Sequence, residues 1–110
     1  MNDPFVYLNG ETLPLSRARV SPMDRGFLYG DGLFETLRTF GGRAYRLREH
    51  LDRLCRYGER IRLDARLDED DVARVLADLR SRNRLEEMYV RITVTRGPHQ
   101  GSLSLDATER

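Results

Sequence analysis

Leu33-Phe34-Glu35-Thr36-Leu37-Arg38-Thr39-Phe40, closed by Gly41-Gly42 and followed by Arg43 to Arg46, is the stretch on which the fold turns. Its aromatic and β-branched residues favour extended chain. Extended geometry alternates side chains, setting Phe34, Thr36, Arg38 and Phe40 on one face and Leu33, Glu35, Leu37 and Thr39 on the other. The glycine pair makes a hairpin turn, and Arg43 to Arg46 returns as a short strand.

Working outward, Phe5 to Leu8, Asn9-Gly10 and Glu11 to Leu15 read as a first hairpin, with Pro14 suited to a strand edge or end. Ser21 to Gly26 is a polar connection. Gly26 to Gly32 then holds three glycines, which permit tight bends. Downstream, Leu47, Leu51, Leu54, Gly58 and Ile61 step by four and three, the spacing of one helical face. A second helix opens on Asp68 to Asp71, where the helix dipole favours acids, buries Val72, Val75, Leu76 and Leu79, and stops near Asn83. Tyr89 to Arg96 alternates again: Val90, Ile92 and Val94 on one side, Tyr89, Arg91, Thr93 and Thr95 on the other. After Gly97 no closing element is visible. The order β-β-β-β-α-α-β fits an α+β class, a small mixed domain with an antiparallel sheet and two helices.

Composition narrows the function. The chain has 110 residues, 34% of them charged, with nineteen basic residues against eighteen acidic and a net charge of +1. One domain of this size supports one modest core. The charge balance argues against a general nucleic-acid binder, and the absence of a long apolar run argues against a membrane span. A single cysteine, Cys55, allows no internal disulfide and reads as a packing residue. The default is a soluble, cytoplasmic domain. All nineteen basic residues are arginine. Without lysine, this chain alone cannot form a lysine Schiff base.

Three places could carry chemistry. The Gly26 to Gly32 turn exposes backbone N–H groups, but it lacks the Gly-Lys-Ser/Thr ending of a P-loop, and a structural turn is the plainer reading. His50 and Arg53 lie three apart on one helix face, where a guanidinium fork suits a phosphate; a solvated face, on which the nearby Arg48, Glu49, Asp52 and Arg56 pair among themselves, competes with that reading. Tyr89 and Arg91 share a strand face, which would suit a carboxylate-bearing ligand or simply the wet side of a half-covered sheet. His99 follows Pro98 in a loop and reads as solvent-facing. No carboxylate pair, metal constellation or serine triad stands out.

Taken in order, Asp24 to Arg38 (DRGFLYGDGLFETLR), Glu49-His50-Leu51-Asp52-Arg53-Leu54, Tyr89-Val90-Arg91 and Thr95-Arg96-Gly97 resemble the class-IV aminotransferases. These are the fold-type IV pyridoxal-phosphate enzymes, comprising branched-chain aminotransferases, D-amino-acid aminotransferases and aminodeoxychorismate lyases. The resemblance implies that Arg53 holds the phosphate of pyridoxal 5'-phosphate, and that Tyr29, Phe34, Thr36, Tyr89 and Arg91 line the substrate pocket. Thr36 stands where branched-chain enzymes often have glycine, which leaves the lyase or another transaminase open. In this family a second domain supplies the Schiff-base lysine and the acid that pairs with the pyridine nitrogen. The resemblance, which runs from about Asn9 to Gly97, therefore reaches only the N-terminal small domain, residues 1–97, with 98–110 starting an interdomain connection and the second domain absent. It further implies a homodimer acting on an amino acid and a 2-oxo acid, branched-chain in type, and an isolated chain without activity or any catalytic residue of its own. A non-catalytic binding or regulatory module is the alternative from another class.

Overall fold

The computed structural model describes residues 3–98, and its α+β architecture keeps the expected order with one short α-helix added between the second and third strands. Strand β1 (Phe5–Leu8) pairs antiparallel with β2 (Glu11–Pro14), as a two-stranded sheet of its own. Asn9 and Gly10 both take positive φ, the backbone that a two-residue hairpin turn requires. Strand β3 (Gly32–Phe40) is the centre of a second, three-stranded sheet. It pairs antiparallel with β5 (Tyr89–Thr95) along Gly32 to Arg38, and with the two-residue β4 (Arg43–Ala44) only at Thr39 and Phe40. Gly41 and Gly42 turn that hairpin, again at positive φ.

Two long helices cover one face of this sheet. They are α2 (Leu47–Arg60) and α3 (Glu69–Arg82), numbered after the short α1 (Arg25–Tyr29). The stripe of α2 is buried as its spacing predicts at Leu47, Leu51, Leu54 and Gly58, whereas Ile61 falls just past the helix and is exposed. Asp68 caps α3 by accepting a hydrogen bond from the Asp71 N–H, and Asn83 ends it. The Asn83 side chain also exchanges hydrogen bonds with the backbone N–H and C=O of Phe5, tying the first hairpin to α3. Leu37, Leu47, Leu51, Leu76 and Met88 form the core, with Val72, Leu79, Val90 and Ile92 packed against it. Alternation along β3 is strict: Glu35, Leu37 and Thr39 are buried, and Phe34, Thr36, Arg38 and Phe40 are exposed.

The structure departs from the sequence reading between Asp24 and Gly30. Where tight glycine bends are expected, Arg25–Tyr29 winds into a short helix, α1. Asp24 caps it by accepting from the Gly26 N–H at 2.7 Å, and Gly30 closes it in the left-handed region. Five residues with glycine inside carry too little helical periodicity to be read from sequence, and tertiary contacts hold the turn instead. A side chain at Gly26 would collide with Thr95, so glycine is needed for α1 to lie against the end of β5. A turn of 3-10 helix at Leu15–Arg17 is likewise unanticipated. The expectations for His99 and for 99–110 lie outside the described residues. Among the described residues, no helix is long and apolar enough to cross a membrane.

Glu87 fastens the β3–β4 hairpin to the start of β5. Its carboxylate accepts from the Thr39 hydroxyl and from the N–H groups of Gly41 and Gly42, while Thr39 Oγ1 accepts from the Met88 N–H. The Thr39 hydrogen bond, followed by those from Gly42 and Gly41, holds the Glu87 carboxyl below its ordinary value of 4.5. A carboxyl depressed in the folded state stabilises above its unfolded pKa and loses that contribution as pH falls through the folded value. Thermal unfolding across about pH 7 to pH 3 is expected to show wild type above Glu87→Gln at and above ~pH 5, with the gap closing on acidification. A gap that stays constant or widens in acid contradicts the clamp.

Candidate functional site

The two faces of β3 carry different chemistry. On the outer face the register sets Phe34 opposite Thr93, Thr36 opposite Arg91 and Arg38 opposite Tyr89. Directly opposed residues of an antiparallel pair project to the same side, so these side chains form one surface. Arg91 lays its guanidinium carbon 4.0 Å from the Phe34 ring centre and donates from Nε to Thr93 Oγ1 at 3.3 Å. Arg38 lies over the Phe40 and Tyr89 rings at 4.6 and 5.2 Å and donates from Nη1 to the Tyr89 hydroxyl at 3.5 Å. The result is an uncovered sheet face of aromatic rings with two guanidinium groups laid on them. Tyr89 is 78% exposed and Phe34 56%.

Behind the strand, Glu35 turns inward towards α2. Its carboxylate is 7% exposed and is met from the helix by two donors. Arg53 donates from Nε to Oε2 at 2.9 Å and from Nη2 to Oε1 at 2.7 Å, and His50 Nδ1 lies 2.7 Å from Oε1. Residues 50 and 53 stand on one side of α2 because three residues make almost one helical turn. The Arg53 hydrogen bond, with lesser help from His50, lowers the Glu35 pKa against the opposing effect of burial, so the carboxylate is ionised at neutral pH. The same bond raises the pKa of Arg53.

Of the six residues singled out from sequence, Phe34, Thr36, Tyr89 and Arg91 come together on the outer face. Arg53 does not join them: it stands on the helix side of β3, held by Glu35. Tyr29 ends α1, half exposed, just ahead of β3. The edge of β3 away from β5 meets β4 only at Thr39 and Phe40, so among the described residues that edge is left unpaired along the stretch that carries Phe34 to Thr36. His50 and Arg53 turn to Glu35 of β3, and Arg48, which the competing reading pairs on its own helix face, pairs instead with Glu69 of α3. Two residues of this region go unassigned in the sequence reading. Glu35 could be found there as the one acid on the face that also carries Leu33 and Leu37, and Arg38 as the cation on the face of Phe34 and Thr36. Two shallow hollows, one beside Cys55, Glu59 and Arg66 and one beside Arg48, Asp52 and Leu67, include none of the six residues. Among the described residues no group of His, Cys, Asp and Glu is placed to hold a metal.

Comparisons with known proteins agree on one family. The model for "Amino-transferase class IV" matches residues 32–110. A Methanocaldococcus jannaschii protein, provisionally assigned as a branched-chain-amino-acid aminotransferase, is 39% identical over 101 residues, covering 92% of this chain and 34% of that protein. The D-alanine aminotransferase of Staphylococcus aureus is 32% identical over 104 residues, or 94% of this chain and 37% of that enzyme. Among solved structures, the branched-chain aminotransferase of Thermoproteus uzoniensis superposes with a TM-score of 0.82 at 24% identity, covering 96% of this chain and 37% of that one, and so shares the fold. The chain spans about a third of the length of the curated relatives it matches.

The two faces of β3 separate stability from surface chemistry. Phe34→Ala and Tyr89→Ala on the outer face are each expected to change unfolding free energy by less than ~1 kcal/mol, whereas Leu37→Ala on the inner face costs about 2–5 kcal/mol. Urea unfolding of the three variants checks this. A large loss at Phe34 would mean that its face is core rather than an open wall.

Proposed function

Since the chain belongs to the amino-transferase class IV family, we propose that it supplies the cofactor-phosphate grip and one substrate-pocket wall of an aminotransferase working between an amino acid and a 2-oxo acid. The single observation that carries this reading is the half-exposed Arg53 guanidinium, held from behind by a buried carboxylate, beside an open wall of rings and arginines. Enzymes of this class use pyridoxal 5'-phosphate. When bound, that cofactor supplies an electron-accepting ring through which an amino group leaves one substrate and joins another.

The residues present fit its phosphate. Glu35 occupies only the Nε–Nη2 edge of Arg53, and the Nη1–Nη2 edge is a second two-point donor for an oxyanion. Around the open edge of β3, the outer face supplies the pocket wall. Arg91 and Arg38 suit a substrate carboxylate, Phe34 and Tyr89 suit an apolar side chain and exclude water, and Tyr29 stands at the mouth. Thr36 sets the width of the wall between Phe34 and Arg38. This chain cannot hold the cofactor through a lysine Schiff base, because none of its 110 residues is lysine. That lysine, and the acid facing the pyridine nitrogen, belong to another segment or polypeptide. On this reading 1–97 form the small domain, 98–110 begin a connection to a second one, the working form is a cytoplasmic homodimer, and this chain alone is inactive.

A branched-chain substrate is the preferred type, supported by the aromatic wall and by the most similar of the relatives described above. Thr36, which puts a hydroxyl opposite Arg91, favours the second reading, an aminodeoxychorismate lyase that eliminates pyruvate. The native polypeptide, isolated from its source cell and supplied with pyridoxal phosphate, separates them by product. A new amino acid from leucine and a 2-oxo acid is the expected outcome, while pyruvate with 4-aminobenzoate means the lyase. Neither product, together with no phosphate binding, means a non-catalytic module. Arg53→Ala is expected to weaken the hold on pyridoxal phosphate ~10- to 100-fold, the scale of one charge-assisted two-point contact.

A further inference from the structure

An arginine can bind phosphate without being held, so the buried acid behind Arg53 needs its own account. The Arg53 side chain is half exposed, and a free arginine in that position samples many rotamers. Glu35 removes that freedom: Oε2 takes Nε at 2.9 Å and Oε1 takes Nη2 at 2.7 Å, which fixes both the position and the plane of the guanidinium. The Oε1 atom also takes His50 Nδ1 at 2.7 Å, so both oxygens are engaged and the carboxylate cannot rotate away. The separation from Arg53 Nη2 to His50 Nδ1 is 3.5 Å, much the weaker contact. An ionised carboxylate only accepts, so His50 must carry its proton on Nδ1. A buried acid unpaired on either side would be costly, which makes the three groups one unit.

We propose that Glu35 is a positioning residue of the phosphate grip, which, with His50 as its second partner, locks Arg53 so that the Nη1–Nη2 edge is presented to a phosphate. The proposal rests on the phosphate role of Arg53 in the preceding reading. Its physical content is preorganisation: the cost of ordering a long side chain is met in the folded chain and not again when the anion arrives. Arg56, one turn of α2 away, is exposed, and among the described residues no ion pair holds it. An ion pair serving only to fasten α2 to β3 would hold the helix equally well with the far edge of the guanidinium blocked. Here Nη1 has no hydrogen-bond partner among the described residues, and Nη2 keeps a second N–H beyond the one given to Glu35.

The test uses the full 110-residue chain, labelled with nitrogen-15, and inorganic phosphate titrated against chloride at matched ionic strength. In wild type the Arg53 Nε–H is expected to exchange slowly and His50 to be protonated at Nδ1, with phosphate shifting the backbone amides of 50–53. In Glu35→Gln the Arg53 Nε–H should exchange like a solvated arginine, and the phosphate Kd should rise ~5- to 10-fold with the remaining amide dispersion unchanged. Unaltered phosphate affinity in Glu35→Gln, while Arg53→Ala loses it, overturns the positioning role and leaves the grip standing. Unaltered affinity in Arg53→Ala removes the grip and this inference with it. Should Glu35→Gln fail to fold, wild type decides alone: fast exchange at Arg53 Nε, or His50 protonated only at Nε2, overturns the proposal.

Discussion

The contact between the Glu35 carboxylate and the His50–Arg53 side of α2 is the constraint on which the rest of the structure depends. A strand with one buried face normally turns apolar groups inward; β3 turns in an acid between Leu33 and Leu37. Burying that charge is tolerable only with donors at hand, and α2 provides them at the one helical spacing that puts both against a single carboxylate. The ion pair thereby sets the rotation of α2 about its axis. The same rotation drives Leu47, Leu51 and Leu54 into the core and leaves the opposite face of β3 uncovered.

A second polar assembly steadies the far end. Arg96, 8% exposed, donates from Nε to Asp31 at 2.8 Å and from its two terminal nitrogens to the carbonyls of Arg62 and Ile61, just past α2. A cation there complements the negative end of the helix and satisfies the first two carbonyls after its last turn. Asp24 accepts from both Gly26 and Thr95, and Arg25 donates its backbone N–H to the Gly97 carbonyl at 2.8 Å. Helix α1 is thus pinned to the end of β5, and β3 is held at both ends, by α1 and by the Glu87 clamp. A pocket wall built on a strand so fixed needs little ordering when a ligand arrives.

Much of this was legible in the sequence, for physical reasons that differ by element. Both hairpins are readable because two-residue turns demand positive φ and Asn-Gly and Gly-Gly supply it. The long helices are readable because fourteen residues each give the stripe time to repeat. Helix α1 is not, since one capped turn between glycines is held by contacts with β5 that no local pattern encodes. In the site, alternation alone put Phe34 with Thr36, and Tyr89 with Arg91. That Thr36 faces Arg91 needs the pairing of β3 with β5, which is long-range information. The role of Glu35 was hidden for the same reason: its partners are fifteen and eighteen residues away, on another element. Sequence spacing found those partners as a pair and missed the acid that joins them.

The central claim is that this chain recognises a phosphate-bearing pyridoxal compound through its phosphate. Ligand-detected NMR with the purified chain, comparing pyridoxamine 5'-phosphate with pyridoxamine, tests it most directly, because the two differ only in that group. The account predicts saturation transfer to the phosphorylated compound, competition by inorganic phosphate and none by pyridoxamine. Equal binding of both compounds, or of neither, would contradict it.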